Sequence, residues 1–254
     1  MTGDLSEREI AQALIASLDL TDLSDRCTRE DVAALCDRAA TSEGDVAAIC
    51  IWPRFVAFAR PRLKSGIRIA TVVNFPEGGE DVEATLAETR QALADGADEI
   101  DLVVSYRRLA ADEGFVDDQV RRVKEACGEA RLKAILETGE LAEPVLIGRA
   151  AKAALAGGAD FLKTSTGKVA VNATPEAAEI LLRAIADHGG AVGFKPAGGI
   201  RTYEDAKAYR DLANRLCGDG YATPDRFRLG ASAVLADLLA VAGGAARGPG
   251  LEGY

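Results

Sequence analysis

Residues 158–169 (GADFLKTSTGKV) contain a short apolar run that ends on a lysine and continues into a glycine-containing loop. Residues 159–162 predict a buried strand, and Lys163 stands where that strand ends. An amine held partly out of water has a lowered pKa, because desolvation disfavours the ammonium form. By itself this lysine could equally reach solvent or pair with a carboxylate, so the surrounding segments decide between a structural and a chemical interpretation.

Similar short apolar runs recur along the chain at intervals of about 20 to 35 residues, the size of one strand–helix unit. Because most of these runs are apolar throughout, they are typical of strands in a parallel sheet that is covered on both faces. The predicted strands end near Asp19, Cys50, Val72, 101–104, Ile135, Lys163, Lys195 and Leu229.

Amphipathic stretches that predict helices lie between these strands. They cover residues 6–16, ahead of the first strand, then 81–95, a segment that opens at Thr174-Pro175, 202–216 and 232–242. Eight strand–helix units in about 250 residues are typical of a (β/α)8 TIM barrel. We therefore predict one α/β barrel domain over residues 1–254, with an extra N-terminal helix and a flexible glycine-rich tail at 243–254. A doubly wound open sheet is the alternative.

The composition narrows the possible partners and the compartment. A net charge of −10 argues against nucleic acid and anionic membranes, and no apolar run is long enough for a membrane span. The five cysteines are scattered without a CxxC pair and the N-terminus does not resemble a signal peptide, so we expect a cytoplasmic protein with reduced thiols. The single histidine, His188, excludes a site with several histidine ligands, and we expect no metal.

Charged residues stand within or at the ends of several predicted strands. Asp19 ends the first strand and Asp101 lies within the fourth. Lys133 flanks the fifth strand, and Lys163 and Lys195 end the sixth and seventh. Because a charge in an apolar strand is costly unless it is paired, we predict that these side chains form a cluster at one rim of the barrel. A second ammonium would lower the pKa of Lys163 further, and a carboxylate could exchange protons; a purely structural ion-pair network is the alternative.

Three glycine-containing loops follow predicted strands near the same rim. They are Thr166-Gly167-Lys168, Ala197-Gly198-Gly199 and Gly230-Ala231-Ser232. Glycine lets backbone N–H groups approach a ligand closely, and the loops after the seventh and eighth strands of such barrels often bind phosphate. Each loop alone could be an ordinary turn, but together they predict a phosphate group on the substrate.

Five segments resemble the deoxyribose-phosphate aldolase family, and the similarity extends from Asp19 to Ala236. They are AAICIWPRF (47–55), TVVNFPEGG (71–79), GADEIDLVV (96–104), KTSTGKVAVNATPE (163–176) and GFKPAGGIRT (193–202). The resemblance implies a class I aldolase of deoxyribonucleotide catabolism. Such an enzyme cleaves 2-deoxy-D-ribose 5-phosphate reversibly into D-glyceraldehyde 3-phosphate and acetaldehyde through a lysine Schiff base, without metal or cofactor.

The resemblance also assigns roles to individual residues. Lys163 matches the Schiff-base lysine, and Asp101 and Lys195 match a pair that donates and accepts protons. Asp19 and Thr21 match positions near the substrate hydroxyls. The positions that match phosphate-binding residues are Gly167, Lys168, Gly199, Gly230 and Ser232.

Three further residues are auxiliary candidates. Lys133 belongs to the predicted charge cluster, and the resemblance suggests that Tyr254 folds over the pocket and assists proton transfer. Cys50 is either a buried apolar residue or a thiol that unsaturated aldehydes alkylate. Trp52 and Ala233 depart from the family pattern, where tyrosine and a second serine are common, and these departures bear on substrate tolerance.

The expected partners are a phosphosugar and small aldehydes, and the resemblance implies a homodimer or homotetramer. Two other functions stay open. One is a different class I barrel aldolase, such as a transaldolase or a ketose-phosphate aldolase, which an assay of deoxyribose phosphate against fructose phosphates separates. The other is an inactive phosphosugar-binding protein, which would not form a reducible adduct with an aldehyde at Lys163.

Overall fold

The structure, a computed structural model, describes residues 5–244. Within this range eight parallel strands form one sheet. They are β1 (Leu18–Asp22), β2 (Ala48–Ile51), β3 (Arg68–Val73), β4 (Glu99–Val103), β5 (Arg131–Ile135), β6 (Phe161–Lys163), β7 (Gly193–Lys195) and β8 (Leu229–Ala231). Their order is β8-β1-β2-β3-β4-β5-β6-β7. All eight predicted strands are present.

Backbone hydrogen bonds join the two ends of this sheet next to β7 and β8. The Phe194 N–H donates to the Arg226 carbonyl at 2.8 Å, and the Arg228 N–H donates to the Phe194 carbonyl at 3.0 Å. A third bond runs from the Gly230 N–H to the Pro196 carbonyl at 2.9 Å. The sheet is therefore a nearly closed barrel, which confirms the TIM-barrel prediction and excludes the open sheet.

Helices lie between successive strands, and an extra helix precedes β1 as predicted. They are α1 (Glu7–Ala16), α2 (Arg29–Ala39), α3 (Val56–Ala59), α4 (Val82–Ala94), α5 (Glu113–Cys127), α6 (Thr138–Leu141), α7 (Pro144–Ala156), α8 (Pro175–His188), α9 (Tyr203–Cys217) and α10 (Val234–Ala242). Two 3₁₀ turns, Pro53–Phe55 and Tyr106–Arg108, and a small antiparallel hairpin of Ala40–Thr41 with Gly44–Asp45 complete the described structure. No described helix has the length and apolar character needed to cross a membrane.

The predicted helix starts are explained by capping side chains. Ser6 and Thr202 form capping boxes with Glu9 and Asp205, and the Thr174 hydroxyl accepts from the Ala177 N–H. Each cap satisfies backbone N–H groups that the first helical turn leaves unpaired. The helix predicted from residue 232 begins at residue 234 instead, without a side-chain cap.

The barrel interior has an apolar part and a charged part. On β2 and β3 the alternating residues Ala48, Cys50, Ala70 and Val72 form a small apolar cluster with Leu23. The other strands contribute the charged interior residues Asp19, Glu99, Asp101, Lys133, Lys163 and Lys195. This division places the chemistry of the barrel on one side of its interior.

Two predicted positions shift in the structure. Asp19 does not end the first strand, because Thr21 and Asp22 still pair with Cys50 and Ile51, so β1 continues to residue 22. Lys133 lies in the middle of β5 rather than at its flank. Both residues are therefore deeper in the barrel than we expected. Of the tail predicted at 243–254, residues 245–254, with Tyr254, lie outside the described residues.

Candidate active site

Seven charged side chains meet inside the barrel, and each residue is at most 3% exposed. We call them the buried charge cluster: Asp19, Glu99, Asp101, Lys133, Lys163, Lys195 and Arg228. They come together because they occupy inward-facing positions of neighbouring strands; Glu99 and Asp101, for example, are two residues apart in β4 and so face the same side. The structure thus brings together all five of the charged residues singled out in the sequence.

Asp101 lies at the centre of the buried charge cluster. Its Oδ1 accepts a hydrogen bond from Lys133 Nζ at 2.7 Å. Its Oδ2 accepts from Lys163 Nζ and from Lys195 Nζ, each at 2.7 Å. Burial alone would raise the pKa of Asp101, but the three ammonium groups outweigh burial and hold it well below its usual value. Asp101 is therefore a carboxylate at neutral pH.

Within residues 5–244, Lys163 differs from the other two lysines of the buried charge cluster in having a single carboxylate partner, Asp101. Lys195 Nζ contacts two carboxylates, and Lys133 Nζ has three within 3.4 Å. Burial lowers the pKa of Lys163. The Asp101 carboxylate raises it and the Lys195 ammonium lowers it, and the net effect is a lowered pKa. Burial also acts on Lys133 and Lys195, but their carboxylate partners outweigh it and raise the pKa of each. Lys163 is thus the amine of this cluster that loses its proton most readily.

Lys163 also lines a cavity of about 280 Å³ at the carboxyl ends of the strands. Of the other predicted site residues, the cavity is lined by Thr21, Gly167, Lys168, Gly230 and Ser232. Gly199 does not line it; the neighbouring Gly198 does. A neutral amine facing a cavity of this size can add to the carbonyl group of a small substrate.

A family model for the DeoC/LacD aldolases matches residues 13–238. The chain belongs to the DeoC/LacD aldolase family. It is 53% identical to the deoxyribose-phosphate aldolase of Agrobacterium fabrum over the full length of both chains. This confirms the resemblance drawn from the sequence.

Solved structures agree with the fold of this aldolase. A crystal structure from Toxoplasma gondii, provisionally assigned as a deoxyribose-phosphate aldolase, superimposes with a TM-score of 0.87 at 30% identity, covering 94% of this chain and 96% of the other. The deoxyribose phosphate aldolase of Aeropyrum pernix, described as having a unique tetrameric structure, gives a TM-score of 0.72 at 27% identity, with 92% of each chain covered.

Asp19 and Thr21, which we expected near the substrate hydroxyls, already have partners in the aldolase. The Asp19 carboxylate accepts from Lys195 Nζ at 2.5 Å and from the Arg228 guanidinium at 2.6 Å. The Thr21 hydroxyl donates to the Asp19 carbonyl at 2.7 Å but remains at the wall of the cavity. Asp19 is therefore placed to organise the buried charge cluster, and its contact with substrate stays a prediction.

Close packing requires glycine at position 230, a constraint that the sequence did not reveal. A Cβ atom at this position would lie 2.8 Å from the Ala197 Cβ and 3.1 Å from the Lys195 Cε. A side chain here would therefore push against Lys195. The same glycine lines the cavity, so its close approach to the site and its predicted phosphate contact are compatible.

Glu137, to which the sequence analysis assigned no role, holds the loop after β6. Its Oε1 accepts from the Thr166 N–H at 3.1 Å and its Oε2 from the Thr166 hydroxyl at 2.5 Å. The same hydroxyl accepts from the Lys168 N–H at 3.0 Å. The pKa of Glu137 is raised, because burial outweighs the Thr166 hydrogen bonds, which lower it. An acidic residue two positions after the end of β5 is the sequence signal for this role.

Lys168 is paired with a carboxylate at the cavity, whereas Cys50 is buried in the barrel interior. Lys168 Nζ forms an ion pair with Asp25 at 2.6 Å and lies 5.7 Å from the centroid of the Trp52 ring. Trp52, which departs from the family pattern, therefore packs beside a predicted phosphate contact. Cys50 is fully buried, and burial raises the pKa of its thiol, which favours the apolar interpretation of this residue.

Glu99 and Arg228 of the buried charge cluster were missed from the sequence. Glu99 begins a strand that also contains Asp101, and two acidic residues at a spacing of two in an apolar strand point to a shared interior face. Arg228 precedes β8 in the segment RFRLG. Within residues 5–244, no group of three or more His, Cys, Asp or Glu side chains is placed to hold a metal ion.

Proposed function

We propose that this chain is a class I aldolase that cleaves 2-deoxy-D-ribose 5-phosphate reversibly into D-glyceraldehyde 3-phosphate and acetaldehyde. The observation that carries the proposal is the buried Lys163 amine, which has a lowered pKa, one carboxylate partner and a place in the cavity wall. The names of the relatives support the choice of substrate.

The proposed reaction begins with the addition of neutral Lys163 Nζ to the aldehyde carbon of the open-chain substrate. The carbinolamine loses water and becomes an iminium ion, which draws electrons from the neighbouring bonds. A base removes the proton of the C3 hydroxyl, the C2–C3 bond breaks to release D-glyceraldehyde 3-phosphate, and the electron pair of that bond forms an enamine on Lys163. The enamine takes a proton at carbon, and water then releases acetaldehyde and the free amine.

Asp101 and Lys195 are the proposed proton carriers. The lowered pKa of Asp101 keeps it a carboxylate, the form that can accept a proton, and the raised pKa of Lys195 keeps it an ammonium, the form that can donate one. Because the same shifts make Asp101 a weaker base and Lys195 a weaker acid, the proposed transfers depend on the closeness of these groups to the reacting amine. Lys163 Nζ and Lys195 Nζ donate to the same oxygen of Asp101, so both proposed proton carriers lie next to the Lys163 amine. The loops of Gly167, Lys168, Gly198, Gly230 and Ser232 are proposed to bind the phosphate and so to position the bond that breaks.

Further parts of the proposal concern the assembly, the setting and the C-terminus. We propose a homodimer or homotetramer, which the tetrameric Aeropyrum pernix relative supports, and a cytoplasmic role in deoxyribonucleotide catabolism. Light scattering on the purified chain measures the assembly. Tyr254 is proposed to assist proton transfer, so removal of this residue should lower turnover while Schiff-base formation continues.

The central experiment is reductive trapping. The chain is incubated with acetaldehyde and cyanoborohydride, which reduces an iminium to a secondary amine, and the labelled peptide is identified by mass spectrometry. At limiting acetaldehyde we expect Lys163 to gain an ethyl group much faster than the exposed lysines, and Lys163→Arg to lose both this fast label and turnover. Lys152→Arg, a change at an exposed lysine of α7, is the matched control and should retain both.

Three outcomes would contradict the proposal. Cleavage of fructose phosphates in preference to deoxyribose phosphate would indicate a different class I aldolase. Phosphosugar binding without any label on the wild-type chain would indicate a binding protein. Full turnover in Lys163→Arg would place the nucleophile elsewhere.

A further inference from the structure

Glu99 and Arg228 form a fully buried ion pair that no step of the proposed reaction uses. The two Arg228 Nη atoms donate to the two Glu99 oxygens at 2.8 and 3.1 Å. Neither residue lines the cavity that contains Lys163. A bidentate pair buried at this depth is costly to desolvate, so its retention beside an active site suggests a purpose other than stability.

The pair is connected to Lys163 through two routes of short ionic contacts. Arg228 contacts Asp19 at 2.6 Å, and Asp19 contacts Lys195 at 2.5 Å. Lys195 then contacts the same Asp101 oxygen as Lys163, each at 2.7 Å.

The second route starts from Glu99. This carboxylate contacts Lys133 Nζ at 2.6 Å, and Lys133 contacts Asp101 at 2.7 Å. Glu99 and Arg228 are therefore separated from Lys163 by other charged groups, and act on it only through electrostatics.

The composition of the buried charge cluster leaves one cation in excess. Fully ionised, it would contain the carboxylates of Asp19, Glu99 and Asp101 against three ammonium groups and one guanidinium. An unbalanced buried charge is costly, and a lysine can shed its charge by losing a proton whereas an arginine cannot. With a single carboxylate partner, Lys163 is the lysine that loses least by doing so.

We propose that Glu99 and Arg228 set the protonation state of the Lys163 amine by fixing the net charge of the buried charge cluster. They are positioning residues rather than catalytic ones, since they act through the groups between them and Lys163. This inference rests on the proposed function in one respect, that the neutral Lys163 amine is the nucleophile.

Other ionisable groups also act on this part of the barrel and stay unchanged in the test. Within the cluster these are Asp19, Asp101, Lys133 and Lys195. Around it are Cys50 on β2, Glu137 after β5, Arg68 at 3.6 Å from Glu99, and Asp225, which acts on Arg68, Arg131 and Arg228. Because Asp225 is 68% exposed, solvent screens its charge far more than that of Glu99.

The test measures the pH at which trapping of acetaldehyde on Lys163 reaches half of its maximal rate. Glu99→Gln removes a negative charge, so the ammonium is disfavoured and the midpoint should move to lower pH. Arg228→Gln removes a positive charge, so the midpoint should move to higher pH. Each shift should be on the order of one pH unit, the effect expected of one buried charge that acts across the intervening groups at an effective dielectric constant of about 20.

The double variant Glu99→Gln/Arg228→Gln restores the net charge, and its midpoint should return to the wild-type value. A merely structural pair would not produce shifts of opposite sign that cancel. Arg228→Lys, which retains the charge, and Asp225→Asn, which removes an exposed carboxylate, are the matched controls and should leave the midpoint in place.

Unmoved midpoints in the single variants, shifts of the same sign, or a double variant that does not return to the wild-type midpoint would each overturn the inference. If the Arg228 variants do not fold by circular dichroism, the sign of the shift in the isosteric Glu99→Gln decides alone. Failure of the wild-type chain to be trapped would instead contradict the proposed function, so the two failures are distinguishable.

Discussion

Replacement of Glu137 should weaken binding of the phosphorylated substrate more than it slows the chemistry. Two hydrogen bonds to Thr166, at 3.1 and 2.5 Å, tie the loop that contains Gly167 and Lys168 to this buried carboxylate. Without them the loop must be ordered when substrate binds, and the cost of ordering is subtracted from the binding free energy. Glu137 does not line the cavity itself.

The size of the effect follows from the number of bonds lost. A hydrogen bond to a charged group contributes about 1.5–3 kcal/mol. Glu137→Ala removes two such bonds, and because water regains access to Thr166 we expect a net loss of about 2–3 kcal/mol. This corresponds to a KM for deoxyribose phosphate that is roughly 30- to 150-fold higher. Glu137→Gln keeps one acceptor oxygen, so its KM should rise by only roughly 5- to 10-fold.

The assay compares kcat and KM for 2-deoxyribose 5-phosphate and for 2-deoxyribose, which lacks the phosphate group. The rise in KM should be confined to the phosphorylated sugar, because the loop positions groups that are proposed to contact the phosphate alone. Glu140→Ala, which removes an exposed carboxylate three residues away, is the matched control. An equal loss for both sugars, or a loss in kcat at unchanged KM, would refute a role in phosphate binding.

Three further predictions concern stability and reactivity. Gly193→Ala should lower the free energy of unfolding by about 1–3 kcal/mol in urea titrations, because its Cβ would lie 2.3 Å from the Phe161 ring. The pKa values of Asp19 and Asp101 are lowered in the folded state, so the stability they contribute is complete above the unfolded value of about 4 and is lost as pH falls below it; Asp19→Asn should make this acid-side decline less steep. Cys50→Ala should leave the rate of inactivation by unsaturated aldehydes unchanged, since the thiol is buried; slower inactivation would show that it reacts.

Local signals in the sequence were sufficient for most of the fold. Short apolar runs located all eight strands, and the caps at Ser6, Thr174 and Thr202 located helix starts, because hydrophobic periodicity and capping act over a few residues. Strand ends were less certain. The end of β1 was predicted at Asp19, but the strand continues to Asp22 because Thr21 and Asp22 still pair with the neighbouring strand β2. That pairing joins residues that are distant in sequence, so local signals do not show it.

The candidate site was predictable in part for the same reason. Lys163, Asp101, Lys133 and Lys195 were noticed because a charge within an apolar strand demands a partner. The loops proposed to bind phosphate were visible as glycine clusters, but which glycine lines the cavity was not, and the structure places Gly198 there instead of Gly199. The direction in which a loop backbone turns depends on the strands that flank it.

The sequence by itself determined the barrel, the strands that bear charges, and the lysine that ends the sixth strand. Only the tertiary structure decided which lysine has a single carboxylate partner, because each pairing joins residues from different strands. Arg228 is 129 residues from Glu99 and 209 residues from Asp19 along the chain, and closure of the barrel brings all three into contact. A pKa depends on every charge within a few ångströms, so the protonation of Lys163 is a property of the closed barrel.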